Sequence, residues 1–233
     1  MGLTAPEDLR SRVGAFLRRP GAAVLLDLDG TLVDSEPMQR AAFAAYFASR
    51  GWDVPEDVVR QFMGRRGYES FAAIDGPWRG EDPVALTEAV IEHVDPVAAP
   101  PTAVPGAAEA IRGWREQDLP VSLVTSAFRP WAEQALELLG VADLGVRLVT
   151  AEDTPVGKPA PDPFLRGAER LGAAPAECLA AEDSLAGLAS ARGAGVGLVV
   201  GVTTSLGAGA LTRAGADAVT ADLTALAPQR SRS

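Results

Sequence analysis

"AAVLLDLDGTLVDSEP" (residues 22–37) decides how this chain folds. Its apolar residues run without alternation into two aspartates and then a DG turn. A strand with one wet face alternates apolar and polar residues. An unbroken apolar run that stops abruptly at polar groups is the pattern of a strand buried on both faces of a parallel sheet. Four further runs share the form: "PVSLVTS" (120–126), "VRLVTAED" (146–153), "ECLAAED" (177–183) and "VGLVVGV" (196–202), with "DAVTADL" (217–223) as an expected edge strand. Helical periodicity fills the gaps at 106–117, 130–140, 163–172 and 185–195, the last two closed by glycine. Leu9, Val13, Phe16 and Leu17 share one face of a further helix over 6–17. Strand and helix in alternation predict an α/β fold, a doubly wound (Rossmann-like) parallel sheet.

The stretch between the first two runs is too long for one crossover. It carries helical patterns at 36–51, 55–64 and 82–94, and a Pro-rich hinge at 95–106 returns the chain to the sheet. Residues 1–34 and 102–233 are therefore expected to form the sheet core, and 35–101 an inserted α-helical cap.

Composition narrows the function. The chain has 233 residues, 47% apolar and 22% charged, with a net charge of −10. That acidity argues against a nucleic-acid surface, which needs clustered cations. No apolar run is long enough to span a membrane. "RRPGAAVLL" (18–26) stops at Asp27, short of an export signal. One cysteine, Cys178, allows no internal disulfide, so a cytoplasmic location is expected.

In an open parallel sheet, ligands bind beyond the carboxyl ends of the strands. Asp27 and Asp29 stand two apart after the first run, on one face, and repel unless a cation is near. Thr125 and Ser126 end the second run with donors suited to phosphate. Glu182 and Asp183 end another with hard oxygens suited to Mg²⁺. Lys158, in "GKPAPDPF", is the only lysine beside twenty arginines. Each has a plainer reading: a polar strand end, helix N-caps at Thr125–Ser126 and Glu182–Asp183, a surface lysine. Together they compose a phosphoryl-transfer centre, where positioning and charge neutralisation are what the reaction needs.

At these residues the chain resembles the haloacid dehalogenase superfamily. "DLDGTLVDSEP" is similar to its first motif, Thr125 to its second, Lys158 to its third and "EDSLAG" to its fourth. The resemblance implies a nucleophile at Asp27, an acid/base at Asp29, phosphate oxygens held by Thr125 and the Ser126 backbone, and Lys158 steadying the nucleophile. It also implies Mg²⁺ on Asp27, the Asp29 carbonyl and Asp183, with Glu182 acting through water. Gly30 and Ala127 complete the implied phosphate-binding set. Dehalogenases lack the second aspartate, and phosphonatases use a cap lysine that is absent here. Sugar-phosphate mutases carry a histidine where this chain has Gln39 and an arginine where it has Gly67.

The resemblance implies a Mg²⁺-dependent phosphatase for a small phosphorylated metabolite, a sugar or polyol phosphate. A mutase, a phosphoglycolate phosphatase and a non-catalytic phosphate binder are the alternatives, in a monomer or homodimer. "FMGRRGYES" (62–70) is the expected substrate-reading loop, with Arg65, Arg66 and Tyr68 facing the leaving group. His93 reads as a surface residue of the cap and Cys178 as a small buried hydrophobe. Trp52, Trp78 and Trp114 read as cover for apolar surface, Trp78 also as a candidate substrate contact.

Overall fold

The computed structural model describes residues 2–228. In chain order α1 (Pro6–Leu17) leads into β1 (Ala23–Leu26), and the neck strand β2 (Val33–Asp34) opens the insert. The insert holds α2 (Glu36–Ser49), α3 (Glu56–Val59), α4 (Gly67–Ala73) and α5 (Pro83–Ile91), and β3 (Thr102–Ala103) closes it. The chain then alternates through α6 (Ala107–Glu116), β4 (Val121–Val124), α7 (Arg129–Leu138), β5 (Arg147–Val149) and α8 (Asp162–Leu171). It finishes with β6 (Cys178–Glu182), α9 (Leu185–Gly193), β7 (Leu198–Val202), α10 (Ala208–Arg213) and β8 (Ala218–Thr220).

Six strands form one parallel sheet in the order β5-β4-β1-β6-β7-β8. Every residue of β1 is buried, as its unbroken apolar run requires. Its side chains alternate between two layers. Val24 and Leu26 pack with Leu9, Val13, Ile111, Trp114 and Leu136 of α1, α6 and α7. Ala23 and Leu25 pack with Phe164, Leu188 and Leu211 of α8, α9 and α10. This is the doubly wound sheet the sequence predicts.

β2 and β3 pair antiparallel where the insert leaves and rejoins the sheet. The insert has its own core of Phe43, Phe47, Phe62, Phe71 and Trp78. Trp78 stacks on Phe47 with ring centroids 5.2 Å apart, so it belongs to that core and is not a substrate contact. The stretch 62–70 is not a continuous loop, because α4 begins at Gly67.

Candidate active site

Strand order reverses at β1, which has β4 on one side and β6 on the other. The crevice at such a reversal is where open α/β sheets place ligands. Register brings the polar ends together, because Leu26 lies level with both Leu123 and Ala181. Asp27 thus emerges beside Val124 and Glu182, and its N–H donates to the Ala181 carbonyl at 3.1 Å.

Lys158 enters from the loop before α8 and is only 1% exposed. Its ammonium donates to Asp27 Oδ1 at 2.5 Å and to Glu182 Oε1 at 2.7 Å. The surface reading of Lys158 therefore falls. Its two anions here are Asp27 and Glu182, which leaves one N–H of the ammonium for a third acceptor. The Lys158–Pro159 bond is cis.

One ammonium sits among three buried carboxylates, Asp27, Glu182 and Asp183. Burial pushes Asp27 up to about 7 despite the pull of Lys158, and Glu182 and Asp29 push it the same way. Burial, then Glu182 and Asp27, also drives Asp183 well above the carboxylate range. Burial works to lower the Lys158 ammonium, but Asp27 and Glu182 outweigh it and raise its pKa. A cluster with more anions than cations keeps a proton or takes up a metal.

The residues fit a hard divalent cation. Asp27, Glu182 and Asp183 each offer an oxygen within 4.8 Å of the others. Asp27 Oδ2 is buried and has no hydrogen-bond partner among the described residues, an orphaned acceptor that a cation would satisfy. Glu182 is differently employed. Oε1 holds Lys158, while Oε2 accepts from the Ser184 N–H at 2.8 Å and its hydroxyl at 3.0 Å. Both its oxygens are engaged, which makes Glu182 the anchor of Lys158. The helix cap expected of Glu182–Asp183 is instead Ser184, which accepts from the Gly187 N–H.

Close backbone approach fixes two glycines. Gly30 has φ +84°, and a Cβ there would lie 2.0 Å from Asp183 Oδ2. A Cβ on Gly187 would lie 1.5 Å from Glu182 Oε1. The Gly30 N–H donates to the Val33 carbonyl at 2.7 Å, so Gly30 shapes the turn beneath Asp183 and offers phosphate no free donor.

Thr125 is buried, and its hydroxyl accepts from the Ala127 N–H at 3.0 Å. The Ala127 N–H is therefore occupied within the turn. The N-cap of α7 is Phe128, with no side-chain cap, so Thr125 and Ser126 are free of the capping role. Ser126 donates its hydroxyl to the Gly64 carbonyl of the insert at 3.2 Å.

A cavity of about 560 Å³ opens beside these groups. Asp29, Asp183 and Ser205 line it from the core, Gln39 and Arg65 from the insert. Arg66 and Tyr68 do not line it. Arg66, 2% exposed, donates to the Thr154 carbonyl at 3.0 Å, to the Thr154 hydroxyl and to Tyr68 Oη at 3.0 Å. Glu69 beside it accepts from the Gly157 N–H at 2.9 Å. Arg66 and Glu69 therefore bind the insert to the loop that carries Lys158, and of the expected reading residues Arg65 alone faces the cavity.

Several contributors carry no motif. Ser205 donates to Asp183, and Thr204 donates to the Gly30 carbonyl. Asp29 Oδ1 accepts from the Ser35 hydroxyl at 2.5 Å and the Trp131 indole N–H at 2.9 Å. Gln39 in turn donates to Ser35 at 3.1 Å. Burial raises the Asp29 pKa, and the Ser35 and Trp131 bonds pull it back. The available signal was position: "TTS" (203–205) follows β7 at the same edge, and Trp131 lies in the first turn after a polar strand end.

The chain is similar to proteins of one family. The model of the haloacid dehalogenase-like hydrolase family matches residues 22–195. A validoxylamine A 7'-phosphate phosphatase of Streptomyces hygroscopicus subsp. limoneus is 35% identical over 201 residues, covering 86% of this chain and 93% of that protein. Hexitol phosphatase A of Escherichia coli K12 is 35% identical over 172 residues, 73% and 78% of the two chains. A beta-phosphoglucomutase of Mycobacterium bovis is 32% identical over 260 residues, 94% and 96% of the two chains.

Proposed function

We propose, because this chain belongs to the haloacid dehalogenase-like hydrolase family, that it is a Mg²⁺-dependent phosphatase of a small sugar or polyol phosphate. One observation carries the reading: buried Lys158 holds Asp27 by one oxygen and leaves the other, beside Asp183, without a partner among the described residues. A carboxylate anchored by lysine, with lone pairs left on its two oxygens for a cation and for attack, is arranged to act as a nucleophile.

Asp27, Asp183 and the Asp29 backbone carbonyl would hold Mg²⁺, which when bound neutralises charge on the phosphate and on Asp27. An Asp27 oxygen attacks phosphorus, the ester P–O bond breaks, and Asp29 gives its proton to the departing alcohol oxygen. Water then attacks the aspartyl-phosphate, its proton passes to Asp29, and inorganic phosphate leaves with Asp27 restored. The third N–H of Lys158, the Thr125 hydroxyl and the Ser126 backbone meet the phosphoryl oxygens. The helical insert covers the crevice as a cap and excludes water from the first step. A cytoplasmic location accords with this reading, since Cys178 is buried and unpaired.

The likeness to a mutase supports a second reading with the same phosphoenzyme. Against it, Gln39 is bonded to Ser35 and Gly67 contributes no side chain. Phosphate release from hexitol, sugar and two-carbon phosphates, with and without chelator, tests the proposal. Turnover that chelation abolishes is expected. Metal-independent hydrolysis, or an isomerised sugar phosphate in place of free phosphate, would overturn it.

A further inference from the structure

We infer that Trp131 is a positioning residue that fixes which oxygen of Asp29 meets the leaving group. The inference rests on the phosphatase reading. Trp131 sits in the first turn of α7, with its ring packed against the sheet core. Its indole N–H donates to Asp29 Oδ1 at 2.9 Å, and Ser35 donates to the same oxygen at 2.5 Å. Gln39 also reaches the Asp29 carboxylate, and Asp29 lines the cavity beside Asp183 and Arg65.

Chemistry separates these two donors. A serine hydroxyl can turn and accept, so Ser35 alone would allow a proton on either oxygen. An indole N–H donates only. It keeps Oδ1 an acceptor, because a proton there would face the N–H. With Oδ1 held by the indole, Oδ2 is the oxygen turned toward the alcohol oxygen of a bound ester. Gln39, donating to Ser35, holds that hydroxyl toward Asp29. Trp131 and Ser35 also come from opposite sides, one from the core helix α7 and one from the start of the insert. Together they fix the carboxyl plane.

Two esters read this role apart from general damage. Expelling an alkoxide needs a positioned proton, whereas p-nitrophenolate leaves unaided. For Trp131→Phe, which keeps the ring and removes the N–H, kcat/KM for a hexitol phosphate should fall roughly tenfold or more. That is part of the 10²–10⁴ supplied by a positioned acid. The value for p-nitrophenyl phosphate should stay close to wild type, and Trp131→His, which retains a ring N–H, should recover part of the loss. Equal losses on both esters, or no loss on the alkyl ester, would overturn the inference alone. A wild-type enzyme that hydrolyses neither ester would overturn the phosphatase reading, and this inference with it.

Discussion

Lys158 is the one lysine in a chain of 21 basic residues, and the buried distances explain why arginine does not replace it. Its ammonium lies between Asp27 and Glu182, and also 5.2 Å over the Phe164 ring. A compact three-donor head fits there, where a planar guanidinium would force the carboxylates apart. Lys158→Arg should therefore lower kcat/KM by at least about 10²-fold, the scale of losing one oriented donor. Near-normal kinetics in that variant would show that charge alone suffices. The lysine was legible in the sequence through its rarity and its Gly-Pro setting. Glu182 was legible as an acid but not as the partner of Lys158, since which oxygen faces which donor depends on register between β1 and β6. Trp131 offered only its position after a polar strand end, and an aromatic residue on a helix next to a sheet otherwise has the pattern of a core residue.

Strands and helices were easier to read than the segments between them. Apolar runs ending in polar groups marked all six sheet strands, since burial on both faces leaves a strong compositional signature. The neck strands β2 and β3 are two residues each, too short for any period. Gly64 and Gly67 on either side of the Arg65–Arg66 pair made 62–70 look like a loop. Contacts with Thr154 and Gly157 instead set α4 against the Lys158 loop. Arg66 consequently tethers the insert to the core. Removing a buried, charge-assisted set of hydrogen bonds costs about 1.5–3 kcal/mol. Arg66→Ala should therefore reduce kcat/KM roughly tenfold for every ester tested, as expected when closure of the insert weakens. Steady-state kinetics across several leaving groups checks this. A loss confined to one substrate would show that Arg66 reads the leaving group.

At the scale of the whole molecule, one sheet and one insert divide the labour. Two apolar layers hold six strands rigid, so four polar loop ends converge at the β1 reversal without needing sequence proximity. The insert, with its separate aromatic core, supplies Arg65 and Gln39 to the cavity and the Arg66–Glu69 contact to the Lys158 loop. The most direct test of this account is mass spectrometry of enzyme quenched in acid during turnover of a hexitol phosphate with Mg²⁺. The account predicts a phosphoryl group on the peptide that contains Asp27. It also predicts no such adduct, and a kcat lower by on the order of 10⁴- to 10⁶-fold, in Asp27→Asn. A phosphoryl group on another residue, or substantial turnover by Asp27→Asn, would contradict it.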